Sequence, residues 1–270
     1  MNQADTFIES CRRIYQQRAL LWALTSRDLE QKLGRSILGY WWLLLYPLLL
    51  LITYSLVFGE IFGSRWPATE TRSEFVVMLF SGLLFYFFFS EVLNRATSAI
   101  KSNATYVKKT VFSHEILALV IVGSSGVSAL VNLFLLLSLH LVAGGNFSLL
   151  MLLAPLVIFP FCMLVTGVAL VLSALTVFFE DLVQIVLFLT QLLLFLSPVF
   201  FPLSAVPHWL QPLLVLNPLT IPIEQMRVIL LGDAMVNWWM LGNYWVIACV
   251  VLYLGQRIFK LCQPTFADVL

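Results

Sequence analysis

Six long apolar stretches recur along the chain, and most of the charged residues lie in the gaps between them. The first stretch, Ser36–Gly59, runs for 24 residues without a charge. A helix of this length measures about 36 Å, which is enough to cross a hydrocarbon core of roughly 30 Å with some tilt. The composition agrees, because 61% of the residues are hydrophobic and 11% are charged, whereas soluble domains carry roughly 25% charged residues. The sequence therefore predicts an all-α protein that spans a membrane several times.

The spans and the segments between them can be assigned from this pattern. We expect six transmembrane helices, over about Ser36–Gly59, Phe75–Val92, Ile116–Val142, Leu149–Val177, Leu182–Phe201 and Asn237–Leu254. An amphipathic helix over Asp5–Lys32 precedes them and is predicted to lie on the membrane surface. The alternative for that helix is an ordinary soluble helix that packs on a partner. We treat 1–270 as a single transmembrane domain, in which 1–35 form the interface helix, 36–201 spans one to five, 202–232 an outer segment, and 237–270 the sixth span and tail.

The basic residues predict the orientation of the spans. If the N-terminus is cytoplasmic, twelve of the 15 Lys and Arg residues fall in cytoplasmic segments and three fall outside. Cytoplasmic loops of membrane proteins carry the excess of Lys and Arg. We therefore expect both termini in the cytoplasm.

The segment Pro202–Gly232 does not fit a simple span, although it is apolar enough to enter the membrane. Its four internal prolines forbid one continuous helix. Two short helices with a turn at Asn217-Pro218 fit better, and non-helical backbone at membrane depth requires burial in protein or a cavity. We expect a re-entrant helical pair that enters from the outer face, in which Glu224 and Arg227 pair on one helix face. The alternative is an amphipathic loop on the outer surface.

Aromatic and neutral polar residues within the spans are candidates for a substrate channel. Rings and amides suit an elongated polyhydroxylated substrate, because sugar C–H faces pack on rings and amides bond hydroxyl groups. The candidates are Tyr40, Trp41, Trp42, Tyr46, Tyr54, Tyr86, Gln184 and Gln191. Membrane-interface or packing roles remain open for the aromatic residues, and hydrogen bonds between helices remain open for the two glutamines.

Several kinds of chemistry find no support in the sequence. The chain has no phosphate-binding loop of the G-x-x-x-x-G-K-[ST] type and no H-E-x-x-H motif. The spans carry almost no acidic or basic residues, which argues against an ion-coupled carrier and against a membrane-embedded acid–base enzyme. An enzyme acting on lipid-linked sugars would need such groups at a membrane face, where only Glu180-Asp181 offers an acidic pair. A scaffold without transport would not need the proline-rich outer segment.

The inner segment Asn94–Glu115 is the most polar internal part of the chain. Its first half has a helical composition, and it carries a basic pair at Lys108-Lys109. We expect a short helix parallel to the membrane that docks on a soluble partner. Attraction of the basic residues to anionic lipid is the alternative.

Three motifs together give the chain a resemblance to the permease subunits of bacterial ABC exporters for polysaccharides. Arg27–Trp42, R-D-L-E-Q-K-x-x-R-S-x-L-G-Y-W-W, resembles the entry of that family into its first span. Asn103–Leu117 resembles its cytoplasmic coupling segment, with Ser113 where the family often carries proline. Ser197–Arg227 resembles its outer gate. The resemblance covers essentially the whole chain.

The resemblance implies a complex of two permease copies and two nucleotide-binding ATPase subunits. No cofactor is expected on this chain, while ATP and Mg would bind the partner subunit. The residues implied in ATPase coupling are Arg27, Asp28, Asn103, Tyr106, Lys108, Lys109, His114 and Glu115. The residues implied in the outer gate are Ser197, Pro198, Pro202, Pro207, Asn217, Pro218, Glu224 and Arg227.

We therefore expect a transport permease of the bacterial inner membrane rather than an enzyme. It would export a lipid-linked glycan, of O-antigen, capsule or teichoic acid type, through a channel between two copies. Membrane lipid would surround it, and no nucleic acid partner is expected. A permease for a drug, a lipid or another small molecule is the alternative.

Overall fold

The protein is helical throughout the part that the structure describes. The computed structural model describes residues 7–34, 37–61, 72–109, 113–146, 148–232 and 235–269, and these ranges contain α-helices, short 3₁₀ turns and one π-helical turn but no β-strand. The prediction of an all-α protein is confirmed for these residues. Within them, five helical stretches are long and apolar enough to cross a membrane, namely Gly39–Gly59, Ser73–Ala96, Glu115–Val142, Leu149–Phe178 and Trp238–Thr265.

Twelve α-helices can be numbered along the described ranges. They are α1 (Phe7–Gln16), α2 (Arg18–Leu33), α3 (Trp42–Tyr54), α4 (Arg72–Ala96), α5 (Ala104–Lys109), α6 (Glu115–Val142), α7 (Ala154–Phe178), α8 (Leu182–Leu196), α9 (Gln211–Val215), α10 (Thr220–Leu231), α11 (Trp238–Cys262) and α12 (Phe266–Val269). Helix α3 follows a 3₁₀ turn at Gly39–Trp41 and continues into the π-helical turn Ser55–Ile61.

Helix α4 forms the centre of the molecule. It contacts α6, α7, α8 and α10, and most of its apolar side chains are buried. An α-helix that is apolar around its whole circumference is stable only when other helices or lipid surround it. The phenylalanine run of α4 packs inward, and the ring of Phe85 meets that of Phe161 on α7 edge to face, with 5.1 Å between ring centroids.

Helices α7 and α11 pack against each other more closely than ordinary side chains allow. A Cβ atom built on Gly255 would lie 2.2 Å from the carbonyl oxygen of Gly167, and one built on Gly167 would lie 2.6 Å from the carbonyl oxygen of Val251. Small residues at such crossings let two backbones approach closely, which is a common way for helices to associate in lipid.

The fifth apolar stretch forms a shorter helix than the sequence predicts. We expected a span over Leu182–Phe201, whereas α8 ends at Leu196 after 15 residues. Ser197 adopts an extended conformation, with φ −103° and ψ 154°. The residue before a proline avoids the α region, because the proline ring clashes with its backbone. Pro198 therefore accounts for the early end of α8.

The two ends of the chain also differ from the expected boundaries. The predicted amphipathic helix forms two helices, α1 and α2, which meet at Gln17, and α2 packs along α6. The expected tail after Leu254 is helical, because α11 continues to Cys262 and α12 follows. Phe259 and Phe266 in this region are fully buried, with 5.5 Å between their ring centroids.

Candidate functional site

A cavity of about 650 Å³ among the described residues is bounded by α2, α3, α4, α6 and α8. The lining combines aromatic residues of α3 and α4 with polar residues of α2, α4, α6 and α8. Its lining consists of Lys32, Leu33, Trp42, Leu43, Tyr46, Pro47, Leu50, Tyr54, Tyr86, Phe87, Ser90, Glu91, Asn94, Ser128, Asn132, Leu187, Thr190, Gln191 and Leu194.

Five of the eight predicted channel residues meet in this cavity. They are Trp42, Tyr46, Tyr54, Tyr86 and Gln191. Three turns of α3 place the three residues of the first span on one side, because residues spaced by four or eight lie on one helix face.

Two aromatic residues of the cavity, Tyr46 and Tyr54, pack against neighbouring rings. Tyr46 lies against Phe87, with 6.3 Å between ring centroids, and Tyr54 meets Phe200 edge to face at 5.2 Å. Such tilted and edge-to-face arrangements are the favoured geometries of aromatic pairs. The cavity therefore presents ordered rings.

The other three predicted channel residues do not line the cavity. Tyr40 and Trp41 lie in the 3₁₀ turn before α3 and are exposed, as is Gln184 on the first half of α8. An exposed aromatic pair at the start of a span matches the membrane-interface alternative.

A network of charged residues lies at one end of the cavity. Lys32 Nζ donates to Glu91 Oε1 at 2.6 Å, and Arg95 binds both carboxylate oxygens of Asp28 at 2.6 and 2.7 Å. Arg95 Nη1 also lies 3.4 Å from Glu91 Oε1. The network joins α2 to α4. Because these side chains are partly buried, the ion pairs are less screened by salt than exposed pairs.

Sequence reasoning missed most of this network. Glu91 lies inside the predicted second span, and it is an exception to the expectation that the spans carry almost no charge. A signal was present, because Asp28 and Lys32 are spaced by four residues, as are Glu91 and Arg95. Residues at this spacing share a helix face.

Helix α6 presents a stripe of small polar residues toward this network. Ser124 Oγ accepts from Arg95 Nη1 at 3.0 Å, Ser125 Oγ donates to Glu91 Oε1 at 2.8 Å, and Ser128 Oγ accepts from Lys32 Nζ at 3.2 Å. On the far side of the cavity, Thr190 Oγ1 donates to Asn94 Oδ1 at 3.2 Å and thereby joins α8 to α4.

A smaller cavity of about 260 Å³ lies between α2 and the inner segment. Arg27, Asp28 and Asn103, three of the predicted coupling residues, line it together with Arg95. The structure thus brings the N-terminal motif and the start of the coupling segment to one place. Asp28 and Arg95 line this cavity, and Arg95 is paired with Glu91, which lines the larger one.

The remaining coupling residues are spread along the inner segment. His114 Nδ1 lies 2.9 Å from Gln263 Nε2, which fixes the segment to the C-terminal end of the chain. Glu115 is buried and Lys108 is exposed. The side chains of Tyr106 and Lys109 lie outside the described part of the structure.

An ion pair connects the inner segment to the loop between α7 and α8. Lys101 Nζ donates to Glu180 Oε1 at 2.6 Å. This hydrogen bond, together with the charge of Lys101, lowers the pKa of Glu180. Glu180 is exposed, and exposed pairs of this kind contribute little to stability.

The predicted outer gate residues form contacts between the end of α8, the turn before α10, and α11. Asn217 Nδ2 donates to Ser197 Oγ at 2.8 Å, and Asn217 Oδ1 accepts from the Leu219 amide at 2.9 Å. Tyr244 Oη donates to the carbonyl of Pro218 at 2.9 Å. Pro198 is buried, whereas Pro202 and Pro207 lie in turns that precede α9.

Arg227 on α10 is the most buried charged residue of this outer segment, with 3% of its surface exposed. It donates to Glu224 Oε1 at 3.1 Å, to the Val199 carbonyl at 3.2 Å and to the Met78 carbonyl at 3.3 Å. The predicted pairing of Glu224 with Arg227 is thus present. Gly82 makes room for this contact, because a Cβ there would lie 3.1 Å from both Arg227 Nη2 and Val199 Cα.

Comparison with known proteins identifies the family of the chain. Residues 19–231 match the family model of the ABC-2 type transporter. The chain is 27% identical to the O-antigen export system permease protein RfbA of Myxococcus xanthus over 263 residues, covering 97% of this chain and 99% of the relative. It is 23% identical to the protein of the same name from Klebsiella pneumoniae over 252 residues, covering 93% and 95%.

A third relative comes from another kind of polysaccharide system. The chain is 25% identical to the polysialic acid transport protein KpsM of Escherichia coli over 257 residues, covering 90% of this chain and 93% of the relative. The family model spans more than half of the chain and includes every residue that lines the large cavity. The resemblance drawn from the three sequence motifs is confirmed, and the chain belongs to the ABC-2 type transporter family.

Proposed function

We propose that this chain is the membrane-spanning subunit of an ATP-driven exporter. The exporter carries a lipid-linked polysaccharide, of O-antigen or capsule type, across the bacterial inner membrane. The observation that carries the proposal is the 650 Å³ cavity, which combines ordered aromatic rings with neutral hydrogen-bonding groups. The relatives named as O-antigen and polysialic acid transport proteins support the choice of a polysaccharide.

The proposed channel is shared between two copies of the chain. Helices α3 and α8 both present exposed apolar residues beyond the cavity, including Leu49, Ile52, Phe188 and Phe195. A second copy placed against these helices would add its own cavity and produce a longer polar path. The free energy gained by packing these faces would come from close contact and hydrogen bonding rather than from exclusion of water.

The proposed topology has six spans, both termini in the cytoplasm and a re-entrant pair formed by α9 and α10. Helix α8 then completes the fifth span with the turn after Ser197. A 15-residue helix measures about 22 Å, which is short of a full hydrocarbon core. Side-chain hydrogen bonds support irregular backbone at this depth, since Asn217 binds the Leu196 carbonyl and buried Arg227 binds the Val199 carbonyl.

The proposed power source is a pair of ATPase subunits that bind on the cytoplasmic side. Arg27, Asn103 and Lys108 lie on the segments that would receive them. Motion of the inner segment reaches the large cavity through Asp28 and Arg95, since these two side chains join α2 to α4 beside it.

The proposal is tested by a double substitution in the inner segment, Lys108→Glu with Lys109→Glu. In a strain that lacks the chromosomal copy, the wild-type chain is expected to restore surface polysaccharide. The double variant is expected to restore about a tenth or less, because it reverses the charge where the partner docks. The measurement is the amount of polysaccharide at the cell surface, with the amount of chain in the membrane determined in parallel.

A matched control makes this test specific. Arg257→Glu with Lys260→Glu removes the same number of positive charges near the C-terminal end of α11, and it is expected to preserve export. Normal export by the Lys108 and Lys109 variant would contradict the coupling role. Equal loss in both double variants would instead favour attraction of basic residues to lipid. Unchanged surface polysaccharide in the strain without the chain would contradict export itself.

A further inference from the structure

The polar stripe on α6 continues beyond the charged network. Ser124, Ser128 and Asn132 follow one another at intervals of four residues, so that they lie on one face of the helix. The two serines are satisfied by Arg95 and Lys32. Asn132, which lies one turn further along, has a different environment.

Asn132 lines the large cavity and is 6% exposed. Its Oδ1 atom is buried, and no donor among the described residues lies within hydrogen-bonding distance. The great majority of buried side-chain amides form hydrogen bonds within the protein or with bound water. A buried amide without such a bond has lost its hydrogen bonds to water with no replacement, which costs free energy. An unpaired amide oxygen beside a cavity is therefore available to accept a hydrogen bond from a ligand.

The surroundings of Asn132 restrict the chemistry of that ligand. Among the described residues that line the cavity, Lys32 and Glu91 alone carry a charge, and they are paired with each other. The other polar side chains of the lining are neutral, and aromatic rings belong to the same lining. The neutral polar residues besides Asn132 are Tyr46, Tyr54, Tyr86, Ser90, Asn94, Ser128, Thr190 and Gln191. A carboxylate on the ligand would lose its hydration without gaining an unpaired cation.

We infer that Asn132 is a specificity-determining residue that binds hydroxyl groups of a neutral sugar unit in the exported chain. A side-chain amide both donates and accepts, which matches adjacent hydroxyl groups on one sugar ring. The rings of Tyr46 and Tyr86 provide apolar surface for the C–H face of such a unit. This inference rests on the proposed function, because it assigns a role within the same cavity.

The test replaces the amide by an apolar group of similar size, Asn132→Leu. In the strain that lacks the chromosomal copy, this variant is expected to export about tenfold less surface polysaccharide than the wild-type chain, because it loses a hydrogen bond to the substrate. Its melting temperature is expected to stay the same or to rise, because the substitution removes a buried unpaired group. The control is Ser138→Leu, at an exposed position of the same helix where the hydroxyl already bonds the Leu135 carbonyl.

The two readouts separate a substrate contact from a structural role. Export at the wild-type level by Asn132→Leu would overturn the inference while leaving the proposed function intact. If Asn132→Leu lowers the melting temperature, Asn132→Ala is tested instead. Its export is expected to fall in the same way, and export at the wild-type level would again overturn the inference. A surface polymer that carries a charge on every repeating unit would also overturn the inference. Unchanged surface polysaccharide in a strain that lacks this chain would overturn both the proposed function and the inference.

Discussion

Individual charged residues are stabilised in two different ways in this protein. Arg227 is almost fully buried and bonds two backbone carbonyls as well as Glu224. Arg95 is partly buried and instead bonds the carboxylates of Asp28 and Glu91. The first arrangement holds irregular backbone against α4, and the second joins two helices. A lysine could not replace either arginine well, since one ammonium group cannot reproduce the fork of a guanidinium.

The charged network predicts a large effect for Arg95→Leu. The substitution leaves the carboxylates of Asp28 and Glu91 partly buried without their common partner. We expect a loss of about 1–3 kcal/mol in unfolding free energy. The measurement is the melting temperature of the purified chain in detergent. Arg257→Leu, at an exposed arginine whose guanidinium bonds the hydroxyl group of Tyr253, serves as the control and should melt near the wild-type temperature. Equal melting temperatures of the two variants would show that the charged network contributes nothing to stability.

The cavity residues show what sequence can and cannot predict about single side chains. Tyr46, Tyr54 and Tyr86 were found because rings and hydroxyls within apolar runs are conspicuous. Asn132 was not found, because its significance depends on the absence of a hydrogen-bond partner on other helices. Contacts between helices cannot be predicted from local sequence. Trp41, also assigned to the channel, is exposed and does not line the cavity, so its assignment stays a prediction.

At the scale of helices, the crossing of α7 and α11 brings two backbones into close contact. It depends on two glycines that local sequence gives no reason to pair. Gly167 lies inside a predicted span, and Gly255 lies in what was expected to be the tail. A glycine within a helix normally costs stability relative to alanine. Here the absence of a side chain is required by the neighbouring backbone.

This crossing predicts opposite effects for two glycine substitutions on α11. Gly255→Ala should lower the melting temperature, because its Cβ would overlap the carbonyl group of Gly167. Gly242→Ala on the same helix meets no atom within 4 Å, and it should be neutral or stabilising by up to about 1 kcal/mol. Thermal unfolding of the two purified variants gives the comparison. A Gly255→Ala protein as stable as Gly242→Ala would show that the helices separate easily.

Helix boundaries were less predictable than helix positions. The apolar runs located the long helices well, since length and hydropathy determine which segments enter a membrane. The end of α8 was missed because Ser197-Pro198 lies inside a continuous apolar run, and hydropathy outweighed the local effect of proline. The extension of α11 was missed for the opposite reason, because polar residues such as Gln256 become buried only through packing with other helices.

At the scale of the whole molecule, two cavities share one charged network, since Lys32 and Glu91 line the larger and Asp28 and Arg95 the smaller. The larger cavity carries the aromatic and neutral polar groups, and the smaller one lies among the residues predicted to couple to the ATPase. Since Asp28 and Arg95 join the helices that border both cavities, a displacement at one cavity is expected to alter the other.

The proposed orientation can be tested with single cysteines. In a chain whose four cysteines are replaced by serine, Lys108→Cys should react with a membrane-impermeant maleimide only after the inner membrane is opened. Trp209→Cys, at an exposed position before α9, should react from the outer side without that treatment. Labelling is measured on intact spheroplasts and on inverted vesicles. The reverse pattern would contradict a cytoplasmic N-terminus.

The last helices that the structure describes, α11 and α12, are anchored to other parts of the molecule. Gln263 lies within hydrogen-bonding distance of His114, and Phe266 is fully buried against Phe259. A tag or reporter protein fused directly behind α12 would therefore displace residues that hold the inner segment in place. Loss of activity in such a fusion would be an artefact of its attachment point, so a flexible spacer is needed before any added sequence.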